Sequence, residues 1–259
     1  MCKGDLYMLF NDRATLILQQ IQLNSSVKIS DLVDILNVSV DTVRRDLKIM
    51  EQKGLIKYVR GGACLPETVA VIENFSGREV ININLKRESA LKAIGYIKKG
   101  SLIALNSGTT NTILAQEIVK RFDDITVITN NIAVINVLMQ KPSINIISTG
   151  GNVDSMEKSF YGFSCEETLN NYFPDICFLS INAFNYNDGY TDFRINEEGP
   201  MKIIAKNSKK VIAVMDSTKI GKRSKFKVFD CDEIEKLIID DNIPDNIKDI
   251  YIKKGINIE

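Results

Sequence analysis

The chain of 259 residues contains no histidine. That absence removes Ser-His and Cys-His nucleophile pairs, histidine-ligated zinc, and the side chain best suited to moving protons near neutral pH. Cysteine is sparse and scattered, at Cys2, Cys64, Cys165, Cys177 and Cys231, with no two at C-x-x-C spacing. Reduced thiols are therefore expected, and neither a zinc knuckle nor a redox dithiol. No catalytic residue, metal or cofactor is read from the sequence. No apolar run approaches the roughly 18 residues that a membrane span takes. The opening Met1-Cys2-Lys3-Gly4-Asp5 sets an acid where a signal peptide has its apolar core, so a cytoplasmic protein without membrane contact is expected. Net charge is missing too, with Lys+Arg 33 against Asp+Glu 33. Any grip on a polyanion must come from local clustering.

What is present is ordinary in bulk and patterned in detail. Hydrophobic residues make up 44% and charged residues 25%, a globular composition, and the length suits one large domain or two unequal ones. Texture divides the chain in three. Residues 1–62 read as short helices ending in a small hairpin, and 63–80 as a linker with a proline and no helical period. Residues 81–259 alternate helical patterns with β-branched runs, which predicts an α/β domain with a mostly parallel sheet.

In the first segment a helix is expected from about Asn11 or Asp12, with Leu16, Ile17, Ile21 and Leu23 as its apolar positions. Ser30 is expected to cap a short second helix carrying Leu32, Val33 and Leu36 on one face. Asn37-Val38 makes a turn, and Ser39 caps a third helix that runs to Lys53 and stops at Gly54. This is a helix-turn-helix, followed by strand-like Leu55 to Val59 and by Arg60-Gly61-Gly62 as the tip of a β wing.

At about 100° per residue, Val43, Leu47 and Met50 share one stripe of the third helix. Asp41, Arg45, Lys48 and Gln52 lie opposite, flanked by Thr42 and Arg44. Between 39 and 60 stand Arg44, Arg45, Lys48, Lys53, Lys57 and Arg60 against Asp41, Asp46 and Glu51, a local basic surplus in a neutral chain. A solvated helix face is the bland alternative. The adjoining basic wing favours the major groove of double-stranded DNA, which takes Arg or Lys on guanine edges and phosphates. The candidate contacts are Ser39, Asp41, Thr42, Arg44, Arg45 and Lys48 on the helix, with Lys57, Arg60 and Gly61 on the wing.

Five apolar runs, at 101–105, 125–128, 144–147, 176–181 and 211–215, each give way to small polar residues. Those ends are Asn106-Ser107-Gly108-Thr109-Thr110, Thr129-Asn130-Asn131, Ser148-Thr149-Gly150-Gly151, Asn182, and Asp216-Ser217-Thr218-Lys219. In an open parallel sheet, ligands sit beyond the carboxyl ends of the strands. Gly108 permits close backbone approach, and Ser107, Thr109 and Thr110 offer hydroxyls beside a helix start that favours an anion. Lys219 adds a point charge. Taken singly, each loop reads as ordinary helix capping. Their shared position points to a pocket for a small phosphorylated polyol, formed by Ser107, Gly108, Thr109, Thr110, Asn130, Gly150, Gly151, Asn182, Asp216 and Lys219.

These runs resemble the DeoR family of bacterial transcription regulators. The resemblance rests on Ile29-Ser30-Asp31-Leu32, on Val38-Ser39-Val40-Asp41-Thr42-Val43-Arg44-Arg45-Asp46-Leu47, on Glu51 to Ile56, and on Arg60-Gly61-Gly62-Ala63. It continues through Phe75-x-x-Arg78, Leu105 to Thr110, Val127 to Asn131, Gly150-Gly151, Phe160-x-Gly162, Asp175-x-x-Phe178, Gly189-x-Thr191 and Asp216-x-x-Lys219. It implies a winged helix-turn-helix joined to a domain similar in fold to ribose-5-phosphate isomerase, which senses a phosphorylated sugar and does not turn it over. Members are typically oligomeric repressors of sugar-uptake and catabolic operons, so a homo-oligomer is expected. Arg44 and Arg45 carry over as DNA contacts, and Ser107 to Thr110, Asn130, Gly150, Gly151 and Lys219 as the effector pocket. The chain departs from the family's Phe-Ile-Gly-x-Asp-Gly-like run at Phe178 to Phe184, where Ser180 and Ala183 replace glycines and Asn182 replaces the acid. That change adds bulk at the pocket floor. The rival reading is an isomerase-like enzyme with an appended DNA-binding module. Aldose–ketose isomerisation needs a positioned base, commonly a carboxylate, which leaves Asp216, Asp188 or Glu198 without supporting spacing.

Overall fold

The structure, a computed structural model, describes residues 9–24, 26–59, 61–64 and 75–259. The chain divides into two compact units, with the division between Ile83 and Asn84.

The first unit contains α1 (Phe10–Asn24), β1 (Ser26–Lys28), α2 (Ile29–Leu36), α3 (Val40–Gln52), β2 (Lys57–Val59), β3 (Gly62–Cys64) and α4 (Phe75–Val80). Apolar residues at helical spacing close one core: Ala14, Ile17, Leu18 and Ile21 of α1 meet Leu32 and Leu36 of α2 and Val43, Leu47 and Met50 of α3. Asn37 takes the left-handed turn at φ 50. Ser39 caps α3 by accepting the Thr42 N–H at 3.2 Å, which satisfies one of the helix's orphan donors.

Three expectations need correction here. Ser30 is not a cap: α2 starts at Ile29, preceded by Lys28, and the Ser30 hydroxyl bonds Asp31 at 3.0 Å. The cause is β1, which runs directly into the helix. The wing is accordingly a three-stranded sheet in the order β1-β3-β2, with Lys28 opposite Gly62 and Lys57 opposite Cys64. The linker expected at 63–80 is partly structured, since β3 reaches Cys64 and α4 occupies Phe75–Val80. Val80 joins the first core, and its carbonyl accepts the Thr15 hydroxyl at 2.8 Å. A six-residue helix is too short to display a period. Cys2, Arg60, the side chain of Leu23 and the linker stretch 65–74 lie outside the described residues.

The second unit runs α5 (Ile83–Ile94), β4 (Leu102–Leu105), α6 (Thr109–Arg121), β5 (Thr126–Thr129), α7 (Ile132–Leu138), β6 (Asn145–Ser148), β7 (Asn152–Asp154), β8 (Ser159–Tyr161), α8 (Phe163–Asn170) and β9 (Ile176–Leu179). It continues with β10 (Ala183–Asn185), β11 (Gly189–Asp192), α9 (Glu198–Asn207), β12 (Val211–Val214), β13 (Phe226–Phe229), β14 (Lys236–Ile238) and α10 (Asp245–Lys253). All five expected strands form, and β14 adds a sixth. The sheet is parallel throughout, ordered β14-β12-β9-β4-β5-β6. Helices cover such a sheet, so its inner strands are apolar on both faces, and β9 is buried at every residue; the edge strand β6 is exposed at Asn145 and Ser148. The core gathers Ala104, Cys177, Leu179, Met201, Ile204, Ala213 and Leu237. Burial pushes the Cys165 and Cys177 thiols up to about 11 and about 12, so both are poor nucleophiles.

Strand order carries the functional geometry. From β4 the chain builds outward through β5 and β6, then returns to β9 on the other side and builds outward through β12 and β14. The crevice at the carboxyl ends of β4 and β9 is thus a topological switch point, where the flanking loops part.

Candidate functional sites on helix α3 and at the strand ends

The outer side of α3 is open. Asp41, Arg44, Arg45 and Lys48 are exposed and Thr42 is half-buried, while Val43, Leu47 and Met50 face the core. Ser39 is exposed but spends its hydroxyl on Thr42, bonding its N–H and, at 2.9 Å, its Oγ1. Arg44 approaches Asp41 at 3.5 Å, with both side chains in solvent, a pair that holds neither in place. On the wing, Lys57 and Gly61 are exposed.

Asp46 departs from the charge count made on the sequence. Its side chain is 1% exposed and lies under the helix, where Arg13 Nε and Nη2 donate to it at 2.6 and 2.9 Å. The hydrogen bond to Asp46 raises the Arg13 pKa above its ordinary value. With that acid withdrawn, the outward face is more basic than the sequence count implied. Glu51 turns the other way and accepts the Tyr58 N–H at 2.8 Å, tying α3 to strand β2 of the wing.

At the switch point the polar strand ends do meet. Asn106 is buried and acts as an extra rung between β4 and β9. Its Nδ2 donates to the Ser180 carbonyl at 3.2 Å, and its Oδ1 accepts the Ser180 N–H at 2.7 Å. Ser107 donates to the Glu157 carbonyl at 3.2 Å. Gly108 has φ +154, and a Cβ placed there would stand 2.3 Å from Ser180 Oγ. The serine expected to add bulk at the floor therefore lies on the glycine itself. Thr109 and Thr110 open α6, both buried, and Thr110 Oγ1 has no partner among the described residues. Lys219 extends from the end of β12 to donate to the Ile181 carbonyl at 3.2 Å.

The other predicted positions are held by their own partners, and Asn131 reaches the switch point, its Nδ2 donating to the Gly108 carbonyl at 3.3 Å. Asn131 is the α7 cap, accepting from Ala133 and Val134 at 2.9 and 3.3 Å, while Asn130 donates to the Glu197 carboxylate at 3.0 Å. Asn182 offers its backbone N–H to Asp192 at 3.1 Å. Asp216 is buried and bonds the Thr218 hydroxyl. Gly150 and Gly151 follow β6 at the sheet edge, two strands from β4, and the nearest groups to a Cβ on Gly151 belong to Tyr161 and Cys165. The carboxylates weighed for an isomerase do not assemble: Asp188 bonds Asn185 in the β10–β11 turn, and Glu198 pairs with Lys202 along α9.

The sequence reading missed Asp192, Arg194 and Glu197. Arg194 follows β11, and its guanidinium reaches the carboxyl ends of β4 and β9. Its Nε and Nη2 donate to Asp192 at 2.9 and 2.6 Å, Nη1 to the Ser107 carbonyl at 2.7 Å, and Nη2 to the Ser180 carbonyl at 2.8 Å. Burial opposes charge on Asp192, but Arg194 and the backbone N–H groups of Arg194 and Phe193 outweigh it, and the carboxyl stays below the usual range. For Glu197 burial wins over Arg194 and Asn130, and its pKa is raised. The nearest available signal was Gly189-x-Thr191, which stands directly upstream of the missed residues.

Gly108→Ala tests the close approach. It should cost roughly 1–3 kcal/mol of stability, read by thermal unfolding, from the clash and the unfavourable φ together. Adding Ser180→Gly should return part of the loss; no recovery would show that the serine is not what crowds the position.

Comparison with known proteins finds matches to both units of the chain. A family profile described as the DeoR-like helix-turn-helix domain matches residues 13–69, and one described as the DeoR C terminal sensor domain matches residues 81–241. The chain is 33% identical over 232 residues to the HTH-type transcriptional regulator GolR of Listeria innocua, covering 90% of this chain and 91% of that protein. It is 30% identical over 249 residues to the HTH-type transcriptional repressor GlcR of Bacillus subtilis, covering 95% of each. Among solved structures, ribose 5-phosphate isomerase A of Methanocaldococcus jannaschii is similar at a TM-score of 0.41 and 18% identity, over 54% of this chain and 55% of that one.

Proposed function

The chain belongs to the DeoR family of transcriptional regulators, and from that premise we propose a repressor of carbohydrate uptake and catabolic genes that releases its operator when a phosphorylated sugar fills the strand-end crevice. It is a DNA-binding regulator and not an enzyme, as its relatives are. The observation that carries the reading is α3 itself, basic and open outside, with its apolar stripe locked in the core. As a homo-oligomer it sets two such helices in successive major grooves, with Lys57 and Gly61 of each wing near flanking backbone. Ser39, Asp41 and Thr42 at the helix start lie where insertion is deepest.

The effector acts by differential binding. A ligand that prefers the arrangement with weak DNA affinity draws the population toward it, and the coupling is reciprocal. Ser107, Thr109, Thr110 and Asn130 supply neutral donors and acceptors for sugar hydroxyls, and Lys219 supplies a charge. Gly150 and Gly151 close the outer edge.

The test is a gel shift on DNA upstream of the protein's own gene, with and without pentose and hexose phosphates. One phosphorylated sugar should weaken binding by roughly 5- to 150-fold, a typical range for such coupling, and should raise the thermal midpoint of the free protein. A panel that leaves both measurements unmoved would overturn the effector class.

A further inference from the structure

The switch-point crevice holds a cation that its hydroxyl and amide groups do not account for. The Arg194 side chain is 4% exposed and fixed on two sides, by Asp192 and by the carbonyls of Ser107 and Ser180. A guanidinium presents five N–H donors in a rigid fork. Four are taken up by these partners, and the second N–H of Nη1 has none among the described residues. That same nitrogen lies 3.6 Å from where a Cβ on Gly108 would stand, at the residue that precedes the 13-residue helix α6. Backbone N–H groups in the first turn of a helix have no acceptor within it and carry partial positive charge. Thr110, in that turn, adds a buried hydroxyl with no partner among the described residues.

A purely structural tie between the two strand ends is the simpler account. It does not need a charge, because Asn106 already joins the ends with neutral bonds, and a buried ion pair is a poor means of gaining stability. Glu157 and Glu197 also act on Arg194 electrostatically. Burial favours the neutral form of Glu197, so Asp192 is the main counter-charge.

We propose, resting on the reading that the crevice takes a phosphorylated sugar, that Arg194 grips the phosphate through its spare Nη1 donor, and that Asp192 aims the guanidinium and restrains its charge. Arg194 is then the group that selects for an anionic ligand over the neutral sugar.

The test uses the full chain, with inorganic phosphate and ribose 5-phosphate as probes, titrated by calorimetry. Two variants separate the roles: Asp192→Asn, and Asp192→Asn combined with Arg194→Gln, which removes both charges of the pair together. The double variant should lose roughly tenfold or more in affinity for either probe, the size of a charge-assisted hydrogen bond. Asp192→Asn alone should bind the probes more tightly than the wild type, although it unfolds at lower temperature. A structural tie would not gain affinity on losing its partner. Wild-type affinity in the double variant, or equal weakening in both variants, overturns the role of Arg194 and leaves the crevice as the effector site. Failure of the wild type to bind either probe or any sugar phosphate overturns the parent reading as well.

Discussion

Replacing Arg44 and Arg45 together with alanine should cost about 2–6 kcal/mol of operator affinity, at roughly 1–3 kcal/mol for each lost base contact. Both side chains are exposed on the outer face of α3 and neither belongs to the core stripe of Val43, Leu47 and Met50, so the helix itself should survive. Circular dichroism and the thermal midpoint should stay near the wild type while the gel shift disappears. Salt dependence distinguishes reading from mere attraction. Loss of a phosphate contact weakens binding to all sequences alike and lowers the salt slope by about one. Loss of a base contact reduces the preference for the operator over unrelated DNA. Undiminished binding to the operator in the double variant would remove α3 from the interface.

The second large effect concerns folding. Asp46→Ala should destabilise the first unit by about 3 kcal/mol, measured by denaturant unfolding. It leaves the Arg13 guanidinium, itself only 14% exposed, without the carboxylate that takes two of its donors. Asp41→Ala, on the same helix but in solvent, should fall within about 0.5 kcal/mol of the wild type. Arg13→Met with Asp46→Leu should recover most of the loss, since matched apolar residues can replace a buried pair. If Asp46→Ala proves as mild as Asp41→Ala, the pair contributes nothing to the unit.

These cases show which features the sequence displayed. The inner stripe of α3 and its Ser39 cap were readable because thirteen residues give the helical period room to repeat. The strands β4, β5, β6, β9 and β12 were readable because each exchanges apolar residues for polar ones at the end where the site lies. Asp46 was misplaced by its charge alone: it stands three residues after Val43 and four before Met50, on the buried stripe. β1 and α4 were too short to show any period. Arg194 left no local mark. Its partners Ser107 and Ser180 are 87 and 14 residues away in sequence, and only the sheet order brings β4 and β9 side by side. A charged residue in a loop ordinarily reads as solvated, and nothing in Asp192-Phe193-Arg194 contradicts that.

Under the proposed function, the bond from the Tyr58 N–H to Glu51 makes α3 and the β wing a caliper on the duplex. A caliper measures as well as touches. Duplexes whose backbone separation differs from its span must bend or compress to fit, at an energy that depends on their local stiffness. On that proposal, base pairs that no side chain reaches would enter the choice of operator.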